Sequence, residues 1–417
     1  MSEPTREQVV SEVRTWIEEN WDPTITVGEW WQLMADARYS HPMLPENAGG
    51  RGYPRALARA VHQTMGEMNV IGPPMGLGVM LAAPTLAAHA TQEQIDRLVP
   101  PMLNGQSAWC QLFSEPGAGS DLAGLQTKAE RDGDEWIING QKVWTSSGHM
   151  ADMGMLIART DPEQPKHQGI SYFAFDMQQD GVDVRPLVEM TGAALFNEVF
   201  MTDARVHDDD RIAETGMGWR VANTTLMEER ASLGAGGTGA LGIPPGKIAG
   251  NLDKTCADII GPATKARSGH SGSHRSVAQS LIAISQKLGN VTEPVLRQKL
   301  MKLYTLEKVN GYNTQRAKAG GTRTGGEGNI AKLNNAELNR QYREVGNAVI
   351  GADGMVMGSD TAGGGMIQNM TLFSPAPSIY GGTDQVQRNI IGERVLGLPK
   401  EPGPAKDTPF AELPKNQ

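Results

Sequence analysis

Apolar positions in the first hundred residues recur at helical spacing. Val9, Val10, Val13 and Ile17 put one apolar face on a helix over Glu7–Asn20. Thr91 followed by Gln94 has the spacing of a capping box, so a helix opens there. Leu44–Tyr53, rich in Pro and Gly, reads as a connecting loop. Beyond residue 105 the period shortens. Trp136–Ile138, Lys142–Thr145, Met153–Ala158, Ile170–Asp176, Val182–Leu187 and Val199–Met201 are strand-like, with Asp132-Gly133-Asp134 as a turn signal. No helical pattern intervenes, which predicts an antiparallel barrel or sandwich rather than βαβ units.

Helical patterns return at Trp219–Gly234, Ser276–Leu288, Val295–Ala317 and Ala331–Val349. Gly261–Ser273 and Gly320–Gly328 are rich in Gly and Ser and are expected to be mobile. The chain after Pro399 is polar and Pro-rich, expected to be disordered or draped on the surface. The predicted fold class is α+β. A helical domain covers 1–104, a middle antiparallel β-domain 105–212, a C-terminal helical bundle 213–398 and a polar tail 399–417.

Composition narrows the function. With 39% hydrophobic and 20% charged residues in 417, a large core can form and global disorder is excluded. The 38 Lys and Arg against 47 Asp and Glu give a net charge of −9, which disfavours nucleic acid as a partner. Any anionic ligand must be held by local arginines and backbone N–H groups. Cys110 and Cys256 alone make neither a disulfide framework nor a zinc cluster. The longest apolar run, Met75–Ala90, contains Pro84 and falls short of the ~20 residues of a membrane span. Met1–Asn20 is charged and amphipathic, unlike a signal peptide. The expectation is a soluble, cytoplasmic protein. His149, His207 and the His270/His274 pair do not make a convincing metal site, and no metal is expected.

The most specific stretch is Trp109–Gly124, WCQLFSEPGAGSDLAG. It reads as a strand ending in a Gly-rich loop, suited to a flat polar cofactor edge or a phosphate because glycine permits close backbone approach. A tight structural turn is an equal alternative. The strand–GxGxxG–helix context and a following Walker lysine are both missing. Gly234, Gly236 and Gly239 do have GxGxxG spacing, but inside a helical pattern, where helix packing explains them. Glu228 and Glu229 are about 100° apart on a helix and cannot both face one pocket. Such pairs are most often a solvated face.

SEPGAGSD followed by INGQKVWTSSG resembles the flavin-binding segment of acyl-CoA dehydrogenases. The similarity covers most of the chain: Pro84 sits in a stretch like the family's MxxPxL, Phe196–Val206 is similar to its β-domain exit, and Ile379–Arg394 (IYGGTDQVQRNIIGER) to its C-terminal signature. The resemblance implies an N-terminal helical domain, a middle β-domain and a C-terminal four-helix bundle, with non-covalent FAD between the last two. It implies that Gln111, Phe113 and Ser114 line the isoalloxazine, that Gly119 and Ser120 continue that contact, and that Ser120 also approaches the pantetheine. Trp144 would pack on the flavin and Ser146 would bond its polar edge. Thr383 and Gln385 would approach the ribityl and adenosine portion. Arg230 and Tyr380 join Ser120 as substrate contacts.

The implied reaction removes a proton from Cα of an acyl-CoA and a hydride from Cβ. In many members the base is the glutamate of a YEGT motif, but this chain reads Tyr380-Gly381-Gly382-Thr383. In another branch the base is the glutamate before Arg on the first helix of the last domain, which here is Glu229 before Arg230, preferred over Glu228. Gly381 loses the carboxylate but keeps the N–H that helps hold the thioester carbonyl, and leaves room for a bulkier acyl chain. The family's Arg-x-x-Phe-Gly contact to a neighbouring subunit's FAD has no clear counterpart in TKARSGHSGSHRSVAQ, where Arg267 or Arg275 could reach a pyrophosphate but a basic loop explains the segment better. The expected acceptor is an electron-transfer flavoprotein. The expected assembly is a homodimer, homotetramer or heterotetramer. The alternatives are an acyl-CoA oxidase or flavin monooxygenase of the same fold, and a non-catalytic or half-site subunit of a heteromer.

Overall fold

A computed structural model describes residues 4–234, 243–260, 276–319, 324–400, 402–405 and 407–414. Contacts group them into two units. The first takes the described residues within Met1–Leu187, Ala194–Ser271 and Pro404–Gln417, and the second those within Val188–Ala193 and Gly272–Gly403.

The first unit begins with helices whose starts are written in the sequence. Helix α1 (Arg6–Asn20) opens on a capping box between Thr5 and Gln8, and α2 (Val27–Asp36) on one between Thr26 and Glu29. Val9, Val13 and Ile17 of α1 pack with Trp30, Trp31 and Met34 of α2 and with Val61 and Met65 of α3 (Arg55–Glu67). Pro84 lies in α4 (Ala83–His89), which runs on without a break from a π-turn over Gly78–Ala82 whose wider hydrogen-bond spacing accommodates a residue with no N–H. Helix α5 (Gln92–Leu98) starts on the Thr91–Gln94 box, and α6 (Pro100–Leu103) leads into the sheet.

The sheet has strands β1 (Trp109–Leu112), β2 (Lys128–Asp132), β3 (Glu135–Ser146), β4 (Met153–Arg159), β5 (Ile170–Asp176), β6 (Val182–Leu187), β7 (Phe196–His207) and β8 (Arg211–Ile212). Their order is β6-β7-β3-β2-β4-β5-β8, with β1 beside β4. The runs at Trp136 and Lys142 are one strand. Gly133, at φ +66°, begins the two-residue turn that pairs Asp132 with Glu135. Pairing is antiparallel except β1–β4 and the single β2–β4 pair, which are parallel and were not expected.

Trp136 and Ile138 of β3 and Val199, Met201, Ala204 and Val206 of β7 pack against Leu156, Ala158, Phe173 and Phe175. The opposite faces of β4 and β5 bury Met155, Ile157, Tyr172 and Ala174 against Leu81, Leu86, Val221 and Ala222. The sheet therefore folds over as a sandwich. It is not a barrel, because the outer strands β6 and β8 pair with no common neighbour and helices cover the second face of β4 and β5.

Helix α7 (Gly218–Gly234) packs on β5 and α4 in this same unit. Residues 243–260 then return to the N-terminal helices, where the N–H groups of Val27 and Gly28 donate to the carbonyls of Lys254 and Leu252. Part of the polar tail is docked. Phe410 is buried, and its N–H donates to the Gln164 carbonyl at 3.0 Å.

The second unit holds α8 (Val277–Leu288), α9 (Pro294–Lys318), α10 (Glu327–Ile350), α11 (Met366–Phe373) and α12 (Asp384–Ile390). Leu281, Leu300, Leu303, Val345, Val349 and Ile367 form its core. Short 3-10 turns over Gly351–Met355 and Ala376–Ser378 and a π-turn over Ile391–Val395 connect or extend these helices. No described helix is long and apolar enough to cross a membrane.

Candidate active site

Strand β1 feeds the Gly-rich loop. The backbones of Glu115 and Ala118 exchange two hydrogen bonds, of 3.0 and 3.1 Å, closing the turn over Pro116 and Gly117. The loop is anchored from beneath. The buried Glu115 carboxylate accepts from Gln126 N–H (2.7 Å), Thr127 N–H (2.9 Å) and Lys142 Nζ (2.9 Å). Lys142, also buried, donates to the Phe113 carbonyl at 3.0 Å, and Val143 N–H to that of Ser114 at 2.9 Å. Burial works to raise the Glu115 pKa, but the Lys142 charge and the converging donors hold it below the ordinary carboxylate value. Burial draws the Lys142 ammonium down, and Glu115 opposes it. Held this way, Gly119 and Ser120 face solvent, and a Cβ on Gly119 would meet nothing within 4 Å. The loop surface is open to close approach by a planar ligand.

Trp144 stands on an irregularity of β3. Val143 and Trp144 lie where β7 has Glu198 alone, so an extra residue is inserted and the strand is re-aimed. Trp144 takes a left-handed backbone, φ +62°, at a cost of ~1–3 kcal/mol for a bulky residue. Its ring is 56% exposed and touches Phe196 edge-on at 5.8 Å. Next to it, the buried Thr145 hydroxyl has no hydrogen-bond partner among the described residues, and Ser146 ends the strand half-buried. An indole held out by a strained backbone, with the half-buried Ser146 hydroxyl two residues on, fits a flat, partly polar cofactor ring.

Gln111 of β1 and Glu229 of α7 meet: the amide Nε2 donates to Oε2 at 3.5 Å. Phe113 contacts the Tyr172 ring edge-on at 6.1 Å. The Tyr172 hydroxyl is 3.4 Å from the Thr225 hydroxyl, one turn before Glu229 on α7. Thr225 is in turn 3.0 Å from the Thr85 hydroxyl. Burial raises the Tyr172 pKa, so the phenol stays neutral. Glu228 and Glu229 are both half-buried. The side chain of Arg230 lies outside the described residues, as do Gly236, Gly239, Arg267, His270, His274 and Arg275.

In the second unit, Tyr380, Gly381, Thr383 and Gln385 lie on one loop and the helix start that follows it. Gly381 and Gly382 have φ of +63° and +79°. A Cβ on Gly381 would meet nothing, so backbone geometry rather than space disfavours a larger residue there. Thr383 caps α12 by accepting from Val386 N–H at 3.2 Å. Gln387 donates to the Gly381 carbonyl at 2.8 Å and accepts from Asn329 at 2.6 Å. Asp384 is buried between Lys332 and Arg340, each at 2.9 Å. Burial would raise its pKa, but those two cations lower it on balance. Gln385 is exposed, and Tyr380 is 43% exposed.

The residues that hold both loops were not singled out from the sequence, although they lie inside or beside its motifs. Glu115 and Lys142 carried a signal, since an acid and a lysine inside apolar strand-and-loop patterns are buried together or not at all. Asp384 and Gln387 carried none beyond their place in the C-terminal signature. His149 bonds Asn197 at 3.1 Å, and His207 lies at the surface beside Asp134 and Asp209. Among the described residues no group of His, Cys, Asp and Glu could hold a metal.

Three family models match the chain: "Acyl-CoA dehydrogenase, N-terminal domain" over 1–106, the "middle domain" over 110–204 and the "C-terminal domain" over 275–396. The acyl-CoA dehydrogenase IpdE1 of Mycobacterium tuberculosis is 35% identical over 373 residues, covering 89% of this chain and 88% of the relative. The solved ChsE4–ChsE5 complex of Mycobacterium tuberculosis is similar at 25% identity, with a TM-score of 0.63, over 96% of this chain and 99% of that one. A steroid ACAD, Tcur3481–Tcur3483, has the same fold, with a TM-score of 0.68 at 22% identity over 96% and 99%.

Proposed function

Because the chain belongs to the acyl-CoA dehydrogenase family, oxidoreductases of CH–CH bonds, we propose that it carries out FAD-dependent α,β-dehydrogenation of an acyl-CoA thioester. FAD supplies the hydride acceptor when bound. The exposed Gly119–Ser120 edge, the raised Trp144 ring and the Ser146 hydroxyl are the groups of this chain that fit it, with Gln111, Phe113 and Ser114 behind them and Thr383 and Gln385 carried over from the C-terminal signature. The Gln111–Glu229 contact carries the reading. It presents a half-buried carboxylate to the strand that leads into the Gly-rich loop.

Glu229 takes the α-proton of the acyl group on one oxygen while the Gln111 amide steadies the other. The Gly381 N–H acts as a donor to the thioester carbonyl, where negative charge develops as the proton leaves. Ser120, Arg230 and Tyr380 contact the substrate. The similarity to a protein described as a steroid ACAD and the open space at Gly381 favour a bulky, ring-bearing acyl group. Electrons pass on to an electron-transfer flavoprotein.

Anaerobic titration with a panel of CoA thioesters, watching the flavin bleach, tests this. A bulky acyl-CoA is expected to bleach the wild type, and Glu229→Gln to keep its yellow colour and not bleach. Normal bleaching by that variant would falsify the assignment of the base.

A second reading is favoured by the two-protein complexes among the structural relatives: the chain is one half of a heteromer. Light scattering and flavin content of the protein expressed alone separate the two readings. A flavin-loaded homo-oligomer supports the first, and a flavin-free particle supports the second.

A further inference from the structure

Arg159, the last residue of β4, is 4% exposed, and among the described residues it forms no ion pair with a carboxylate. Its guanidinium donates instead to carbonyls: NH1 to Lys166 at 2.6 Å, NH2 to Ala123 at 2.7 Å and to Leu125 at 3.4 Å. Its Nε is buried without a partner. Glu115, Asp121 and Asp161 act on it at longer range, and the face of Phe410 closes over it, its centroid 3.7 Å from Cζ. Burial draws the Arg159 pKa down to about 10, so the group stays charged at neutral pH.

Phe410 is brought there by the C-terminal segment. Its N–H donates to Gln164 O (3.0 Å), Ala411 N–H donates to Pro162 O (2.9 Å), and Pro409 bridges Pro165. The segment lies beyond residue 396, where the match to the family's C-terminal domain ends. The stretch it grips, 160–169, also carries Lys166, whose Nζ meets both carboxylate oxygens of Asp121 at 2.7 and 2.9 Å. Two cations that rest on this one stretch therefore hold Asp121–Leu125, the distal end of the Gly-rich loop.

We propose that Phe410 and Arg159 are positioning residues: the C-terminal segment acts as a strap that fixes the guanidinium against the Ala123 and Leu125 carbonyls and so sets the Gly119–Ser120 edge for the cofactor. The inference rests on the function proposed above for that loop. It makes the segment around Phe410 part of the site's architecture although it touches no reacting atom. The ring acts through its π-face, so an aliphatic side chain of similar volume does not replace it.

The test compares full-length wild type with Phe410→Leu and Phe410→Tyr. Phe410→Leu is expected to weaken FAD binding, read by flavin fluorescence, by roughly tenfold, with kcat at saturating FAD within about twofold of wild type. Phe410→Tyr keeps the ring face and is expected to bind FAD as the wild type does. Hydrogen exchange at the amides of Asp121–Leu125 is expected to quicken in Phe410→Leu alone. Unchanged FAD affinity in Phe410→Leu overturns the inference, as does a Tyr variant that behaves like the Leu variant, because the contact would then be one of volume. A wild type that takes up no FAD overturns the proposed function itself, and exchange at Asp121–Leu125 then still decides whether the strap grips the loop.

Discussion

Gln111 and Glu229 are 118 positions apart in sequence, yet the amide of one reaches the carboxylate of the other. Strand alternation is the cause. Cys110 and Leu112 point into the sandwich core, so Trp109, Gln111 and Phe113 point to the opposite face, which the helices cover. A polar residue at that one position faces α7 because its two neighbours are apolar and buried.

Replacing Gln111 by Leu is expected, in protein kept saturated with FAD, to slow anaerobic flavin reduction by acyl-CoA about tenfold, through loss of one oriented hydrogen bond to the base. Stopped-flow absorbance reads this directly. An unchanged rate would mean that Glu229 needs no support from β1.

The Glu115–Lys142 pair is asymmetric in its mutants. Lys142→Met strands a buried carboxylate and is expected to cost about 3–5 kcal/mol in urea unfolding. Adding Glu115→Gln to that variant removes the stranded charge and is expected to recover most of the loss. A double variant as unstable as the single one would show that geometry, not charge, holds the loop.

Trp144→Gly sets backbone strain against an aromatic contact. The left-handed backbone costs ~1–3 kcal/mol for Trp and almost nothing for Gly, whereas the Phe196 edge contact is worth ~0.5–1.5 kcal/mol. The flavin-free variant is therefore expected to melt no lower than wild type while binding FAD more weakly. Differential scanning fluorimetry and flavin titration measure the two effects. A clear drop in the melting temperature would mean that the ring braces the sheet.

Some helices were legible in the sequence because apolar spacing and capping boxes are local, as at Glu7–Asn20 and at Thr91, whereas α2 and its box at Thr26 were not singled out. Strand β2 was not, since only Ala129 of its five residues is buried and no alternation shows. The parallel β1–β4 pairing and the packing of α7 with the sheet join distant segments by burial, and no local pattern encodes either. The left-handed Trp144 was invisible for a different reason. Turn chemistry points to Gly, Asn or Asp, and a bulky residue held there is a strained exception that only coordinates show. The candidate site was readable by motif for its exposed edge, but not for Arg159, Asp384 or Gln387, which act from outside it.

Burial pushes the thiol of Cys110 up to about 12 and that of Cys256 up to about 11, against an ordinary value near 9. At pH 8 a thiol reagent is expected to find neither in the native protein and both after denaturation. The raised values also fix a sign. Below pH 9 the thiols are neutral whether folded or not, so their contribution to stability is complete. Above it the unfolded chain releases protons that the fold retains, and stability falls as pH rises from about 9 toward 11–12. Fast labelling of the native protein would contradict the burial of both cysteines.

Strands β4 and β5 are lined with apolar side chains on both faces. Sliding either by one residue would exchange Met155 and Ile157 for Leu156 and Ala158, oil for oil, with little penalty from the middle of the strand. Alignment is decided at the ends instead. At one end Asp152 accepts from Ala108 N–H at 2.7 Å and its carbonyl receives Met177 N–H at 3.0 Å. At the other end Arg159 spends its donors on three carbonyls. Two polar bookends keep a greasy shelf in place, so a lesion at either should yield misthreaded, sticky protein rather than an enzyme that is merely slow.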